Sequence, residues 1–136
     1  MKLGSVLVSL AAALVMGGCS GNDGKIEVAS SGAALTDKGG DRLFTVKLVE
    51  AREDGYALDG LRVKVKPDGK DAVDAVCTPA DLNANGKLDK GDTMACAEPE
   101  TNALGRDVAG KEVDVELYAK IDGSEERVGD ATWTPE

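Results

Sequence analysis

Between Cys77 and Cys96 the chain reads Cys-Thr-Pro-Ala-Asp-Leu-Asn-Ala-Asn-Gly-Lys-Leu-Asp-Lys-Gly-Asp-Thr-Met-Ala-Cys, a run crowded with short, oxygen-bearing side chains. Asp81, Asn83 and Asn85 stand at alternate positions, and Asp89 and Asp92 follow. Such spacing suits a hard cation, which takes about six to eight oxygens at roughly 2.3 to 2.6 Å and so needs a short chain to curl around it. Gly86 falls where the curl is sharpest, because a residue without Cβ enters positive φ at little cost. Other chemistry is poorly supplied. The chain has no histidine, which removes the commonest general base, and two distant cysteines do not complete a tetrahedral zinc site. No catalytic residue is assigned, and no enzyme is expected. A metal-free polar turn in an acidic protein accounts for the same composition and stays open as the alternative.

With Asp81 as position 1, the oxygen donors Asn83, Asn85, Asp89 and Asp92 fall at 3, 5, 9 and 12, with Gly86 at 6 and Leu88 at 8. This register resembles the EF-hand calcium loop. The resemblance implies Ca2+ held by Asp81, Asn83, Asn85, Asp89 and Asp92, with the backbone carbonyl of Lys87 at position 7 and Leu88 turned inward as an anchor. Two features depart from it. Asp92 is one methylene shorter than the usual Glu, and Pro79 and Pro99 flank the loop where helices would run. The loop is more similar to dockerin-type and other extracellular loops, which often carry Asp at position 12, although a dockerin repeats its loop and this chain has one copy. Three carboxylates without a Glu imply weak affinity, of order 10⁻⁴ to 10⁻³ M.

The N-terminus explains an odd cysteine count. Residues 1–18 read as a signal peptide: Lys2, an apolar run from Val6 to Met16, then Gly17 and Gly18. The run is short for a membrane span. Leu14-Val15-Met16-Gly17-Gly18-Cys19 resembles the lipobox of bacterial lipoproteins, with Met16 where Leu is usual. That resemblance implies cleavage before Cys19 by signal peptidase II and acylation of its thiol, and Ser20 resembles an outer-membrane sorting residue. The alternative is an ordinary secretory peptide with an incidental cysteine. If Cys19 carries lipid, Cys77 and Cys96 remain as one disulfide in an oxidising compartment. Closing that ring contributes about 3 kcal/mol on the loop-entropy model. Residues 19–24 then form a short tether and 25–136 a single domain. The net charge of −9 becomes more negative once Lys2 is removed. An acidic surface repels nucleic acid and anionic membrane, so membrane contact falls to the lipid on Cys19.

These sites need a frame, and the rest of the chain reads as strands. Period-2 alternation marks Lys25 to Ala29, Arg42 to Ala51, Leu61 to Lys66 and Val113 to Ile121, with Ala72 to Cys77 as a short apolar run. Pro67-Asp68-Gly69 and Asp122-Gly123 are turns, the second opening a hairpin with Glu126 to Thr134. Glu98 to Gly110 reads as loop. The expectation is all-β: a small antiparallel β-sandwich, immunoglobulin-like, with the disulfide-bracketed loop 77–96 inserted between strands. Its core is Val, Leu, Ile and Ala, with Phe44 and Trp133 as the largest members. Arg62, Lys64 and Lys66 share one face, paired with Asp114, Glu116 or Asp122 or else free for an anionic ligand. Tyr118 is expected to cover a sheet edge, and Tyr56 or Tyr118 could meet a partner. Three functions remain: a calcium-stabilised, lipid-anchored envelope domain with a structural or adhesive role; a module that binds an envelope protein or matrix component; and a structural lipoprotein without metal.

Overall fold

The computed structural model describes residues 24–80, 84–100 and 104–136. The strands among them are β1 (Lys25–Ser30), β2 (Arg42–Glu50), β3 (Tyr56–Ala57), β4 (Arg62–Lys66), β5 (Val73–Ala80), β6 (Lys87–Leu88), β7 (Thr93–Ala97), β8 (Val113–Ile121) and β9 (Ser124–Trp133). A single 3₁₀ turn, Arg106–Val108, is the only helical element among the described residues. The protein is all-β and every strand pair is antiparallel.

Strands form where alternation lets one face be buried. In β8, Val113, Val115, Leu117, Ala119 and Ile121 face the core, while Asp114 and Lys120 face water. The hydrogen-bonded order is β9-β8-β4-β5-β7-β2-β1, with β3 and β6 as a separate pair. Within it β5 changes partner midway. Val73 to Ala75 pair with β4, and Val76 to Ala80 pair with β7.

The two ends of this order meet. β9 carries a register shift between Arg127 and Gly129, and the carbonyl of Val128 accepts the Gly24 N–H at 2.6 Å. A bulge frees a carbonyl in this way by leaving one residue out of the ladder. Gly129 lets β1 come close, since a Cβ there would lie 3.1 Å from Ile26 Cγ2. One core fills the interior, with Phe44 and Trp133 packed edge to face, their centroids 5.0 Å apart. The hairpin Ile121–Ser124 turns through Asp122 (φ 51°) and Gly123 (φ 83°), the double positive φ of a type I′ turn.

Several expectations are corrected. β5 does not stop at Cys77 but runs through Pro79 to Ala80, where its β4 side has no ladder and the missing proline N–H costs little. Thr93–Ala97 is a strand rather than loop, because Met94 and Cys96 point inward against β2. Tyr118 does not cover an edge: β8 lies between β9 and β4. Tyr56 is 1 % exposed and belongs to the core, which removes it as a partner contact. Within Glu98–Gly110, the described residues form loop and the 3₁₀ turn, yet Leu104 and Val108 are buried.

Candidate metal-binding loop

The base of the loop is set by β5 and β7. Cys77 stands directly opposite Cys96 and the two form a disulfide with Cα atoms 4.1 Å apart, as expected from the cysteine count. Three further pairs, ending at Ala80 and Thr93, continue the ladder to the mouth of the loop. The loop is therefore closed twice, by a covalent clasp and by backbone pairing.

Asp81 and Asn83 lie outside the described residues, so the entering half of the donor set is not placed. The exiting half is. Ala84 and Gly86 both have positive φ, 52° and 75°, and turn the chain back on itself. Asn85 then donates through Nδ2 to Asp89 Oδ2 at 2.8 Å and accepts the Lys87 N–H on Oδ1 at 3.1 Å. Asp92 Oδ2 accepts the Asp89 N–H at 2.8 Å, and the Asp92 N–H returns to the Asp89 carbonyl at 2.9 Å. The side chains of Asn85, Asp89 and Asp92 are thus brought into one curl.

The frame grips this half at several points. Leu88 is buried, as the anchoring role requires, and its strand β6 pairs with β3 through Tyr56 opposite Leu88 and Ala57 opposite Lys87. The Gly86 carbonyl accepts the Leu58 N–H at 3.1 Å. Leu48 at the end of β2 donates to the Asp92 carbonyl at 3.0 Å and accepts the Gly91 N–H at 2.7 Å. Sequence reasoning missed the turn that walls this side. Gly55 (φ 66°) lies so close to Asp89 that a Cβ there would fall 2.2 Å from Oδ1 and 2.9 Å from the Leu88 carbonyl. A lone glycine before an aromatic residue gave no pattern from which to read that contact.

Compared with protein-family models, curated proteins and solved structures, the chain matches none of them. The described side chains Asn85, Asp89 and Asp92 offer one amide and four carboxylate oxygens, the atoms a hard cation selects, with no sulfur or imidazole for a softer metal. Asp92 is 1 % exposed, and a carboxylate at that depth is held only where charge or hydrogen bonds meet it. Among the described residues no group of three or more His, Cys, Asp or Glu converges; the described loop supplies two carboxylates and an amide.

The basic face is met by carboxylates and by one aromatic ring. Arg62 bonds Asp74 at 3.0 Å and Glu125 at 3.1 Å, Lys66 reaches Glu116 at 3.6 Å, and Lys64 sits 4.9 Å from the centre of the Tyr118 ring. Glu116 is the hub, accepting from the Tyr118 hydroxyl at 2.7 Å and from Arg127 at 3.0 Å. Those partners, the Tyr118 hydroxyl first, hold its carboxyl below the usual range, and the same bond pushes the Tyr118 phenol up. Glu116 was among the partners expected for this stripe; Asp74 and Glu125 were not.

Proposed function

We propose that this protein is a lipid-anchored domain of the bacterial cell envelope whose loop 81–92 binds Ca2+, serving a structural or adhesive role there. The observation that carries the calcium reading is the exiting half-loop, where Asn85, Asp89 and Asp92 share one curl fixed by Leu48, Leu58 and the β3–β6 pair. Asp81, Asn83, Asn85, Asp89 and Asp92, with the Lys87 carbonyl, are the residues that would hold the ion. Bound calcium would add charge compensation for the carboxylates and tie the entering half of the loop to the exiting half. Anchoring rests on the lipobox ending at Cys19 and on the pairing of the other two cysteines with each other. The strand order, with β5 passing from one partner to the other, supports an immunoglobulin-like sandwich as the frame.

Calcium titration followed at the backbone amides is the direct test. The amides of Asn85 to Asp92 are expected to shift saturably with calcium and not with magnesium at the same concentration. A flat titration leaves the loop a metal-free turn. Incorporation of labelled palmitate that is lost in Cys19→Ala tests the anchor separately, and its absence in the unaltered protein sinks that half of the proposal.

A further inference from the structure

We infer that the end of the domain carrying loop 84–92 is the end that faces the membrane. The inference rests on the lipid anchor proposed for Cys19 and adds an orientation that the anchor alone does not dictate.

The registers sort the connections into two ends. Lys25 pairs with Glu50, Ala80 with Thr93, and Ile121 with Ser124. Gly24, the connection 51–61, the described loop residues 84–92 and the hairpin turn Asp122–Gly123 therefore share one end. Ser30 pairs with Phe44, Val76 with Ala97 and Lys66 with Asp114. Segments 31–41, 67–72 and 98–112 (of which 101–103 are not described) and the residues after Trp133 share the other.

The chain enters the fold at the first end. Gly24 is hemmed in there, a Cβ on it falling 2.7 Å from the Glu50 carbonyl, 2.8 Å from the Tyr56 hydroxyl and 3.0 Å from the Val128 carbonyl. Between Cys19 and Gly24 the chain can span at most about 18 Å. The nine residues of β8 cover roughly 27 Å at the usual rise per residue. The tether is shorter than the domain is long, so the entry end is held near the bilayer.

The β4–β8–β9 face offers no reason to lie flat. Among the described residues Val76 is the one large hydrophobic left exposed, so no apolar face is available to insert. On the β4–β8–β9 face, Arg62, Lys66 and Arg127 are each bonded to carboxylates and present no open cationic patch to phosphate headgroups. The occupant of the entry end is the headgroup layer of the anchoring membrane, and the far end points into the surrounding compartment.

The test uses the full lipidated chain in nanodiscs doped with a gadolinium-chelating headgroup lipid, read by amide NMR intensity. Signal loss is expected at Gly55, Gly91 and Gly123 and not at Gly40, Gly69 and Gly110. Loss spread over both sets, or confined to the second, overturns the orientation. A parallel protein with a Gly-Ser insert of ~20 residues after Gly21, long enough to release the domain, is expected to lose the contrast; a contrast that survives the insert means something other than the tether sets it and overturns the argument. Mass spectrometry of the same sample reads acylation at Cys19. An unmodified Cys19 overturns the anchor and the orientation with it, whereas an acylated chain with uniform signal loss overturns the orientation alone.

Discussion

Glu98 and Asp41 show how a single buried carboxyl couples two loops. Glu98 is 2 % exposed; it accepts the Leu104 N–H at 2.8 Å and lies against Asp41, whose own carboxylate takes the Thr36 N–H at 2.7 Å and hydroxyl at 2.8 Å. Burial pushes the Glu98 carboxyl up, while the Thr36 bonds hold Asp41 down. Glu98 therefore binds its proton more tightly folded than unfolded, and its contribution is full at acid pH and lost as pH rises through the folded value. Asp41 works in the opposite window, contributing at neutral pH and losing that as pH falls through its lowered value. Glu98→Gln keeps an acceptor for Leu104 and removes the buried charge, while its amide gives up the weak 3.4 Å bond from the Asp41 N–H and donates toward the Asp41 carboxylate instead. It is expected to be more stable than the unaltered protein at pH 7, with the difference closing near pH 4, by urea unfolding at both. A destabilised variant at pH 7 contradicts the reading that the buried Glu98 charge costs stability. Gly55 is the second telling residue: Gly55→Ala meets Asp89 and strains a positive φ, for an expected loss of about 1 to 3 kcal/mol. Gly123→Ala has the strain but open space, and should cost only about 1 kcal/mol. Equal losses in thermal unfolding would show that contact with Asp89 does not matter.

At the scale of elements, β1, β2, β4 and β8 were legible because each alternates over five residues or more with Val, Ile, Leu or Phe on one face, and β9 because it returns from the Asp122-Gly123 turn. β7 was not, because its inward residues are only Met94 and Cys96 and its outward ones Thr93, Ala95 and Ala97, too mild a contrast beside the polar loop. β5 was cut short at Cys77 because Pro79 reads as a breaker, whereas its open side tolerates it. Leu35, Leu104 and Val108 are buried single apolar residues in polar segments, where no period exists to read. The disulfide was legible by counting, but the Leu48, Leu58 and Gly55 contacts that hold the loop come from distant sequence. These elements make the clasp testable. Replacing Cys77 and Cys96 together by Ala is expected to lower stability by about 3 kcal/mol; an unchanged denaturation midpoint would mean that the β5–β7 ladder alone closes the loop.

For the whole molecule, one end is built around the loop and the chain entry, and the other around the Glu98–Asp41 latch and the C-terminal residues, whose carbonyls at Pro135 and Glu136 accept the N–H groups of Gly110 and Leu35. Calcium, on the function proposed above, belongs to the first end. Thermal unfolding of the oxidised protein in millimolar calcium, magnesium or EDTA, beside a variant carrying Asp81→Ala and Asp92→Ala, tests it most directly. With a dissociation constant near 10⁻⁴ M, ~1 mM calcium adds about 1.4 kcal/mol by mass action, a rise of several degrees in a domain of this size. Calcium alone should raise the midpoint, and the variant should not respond. Coincident curves in all three conditions would contradict the account and leave a disulfide-stapled loop with no metal to hold.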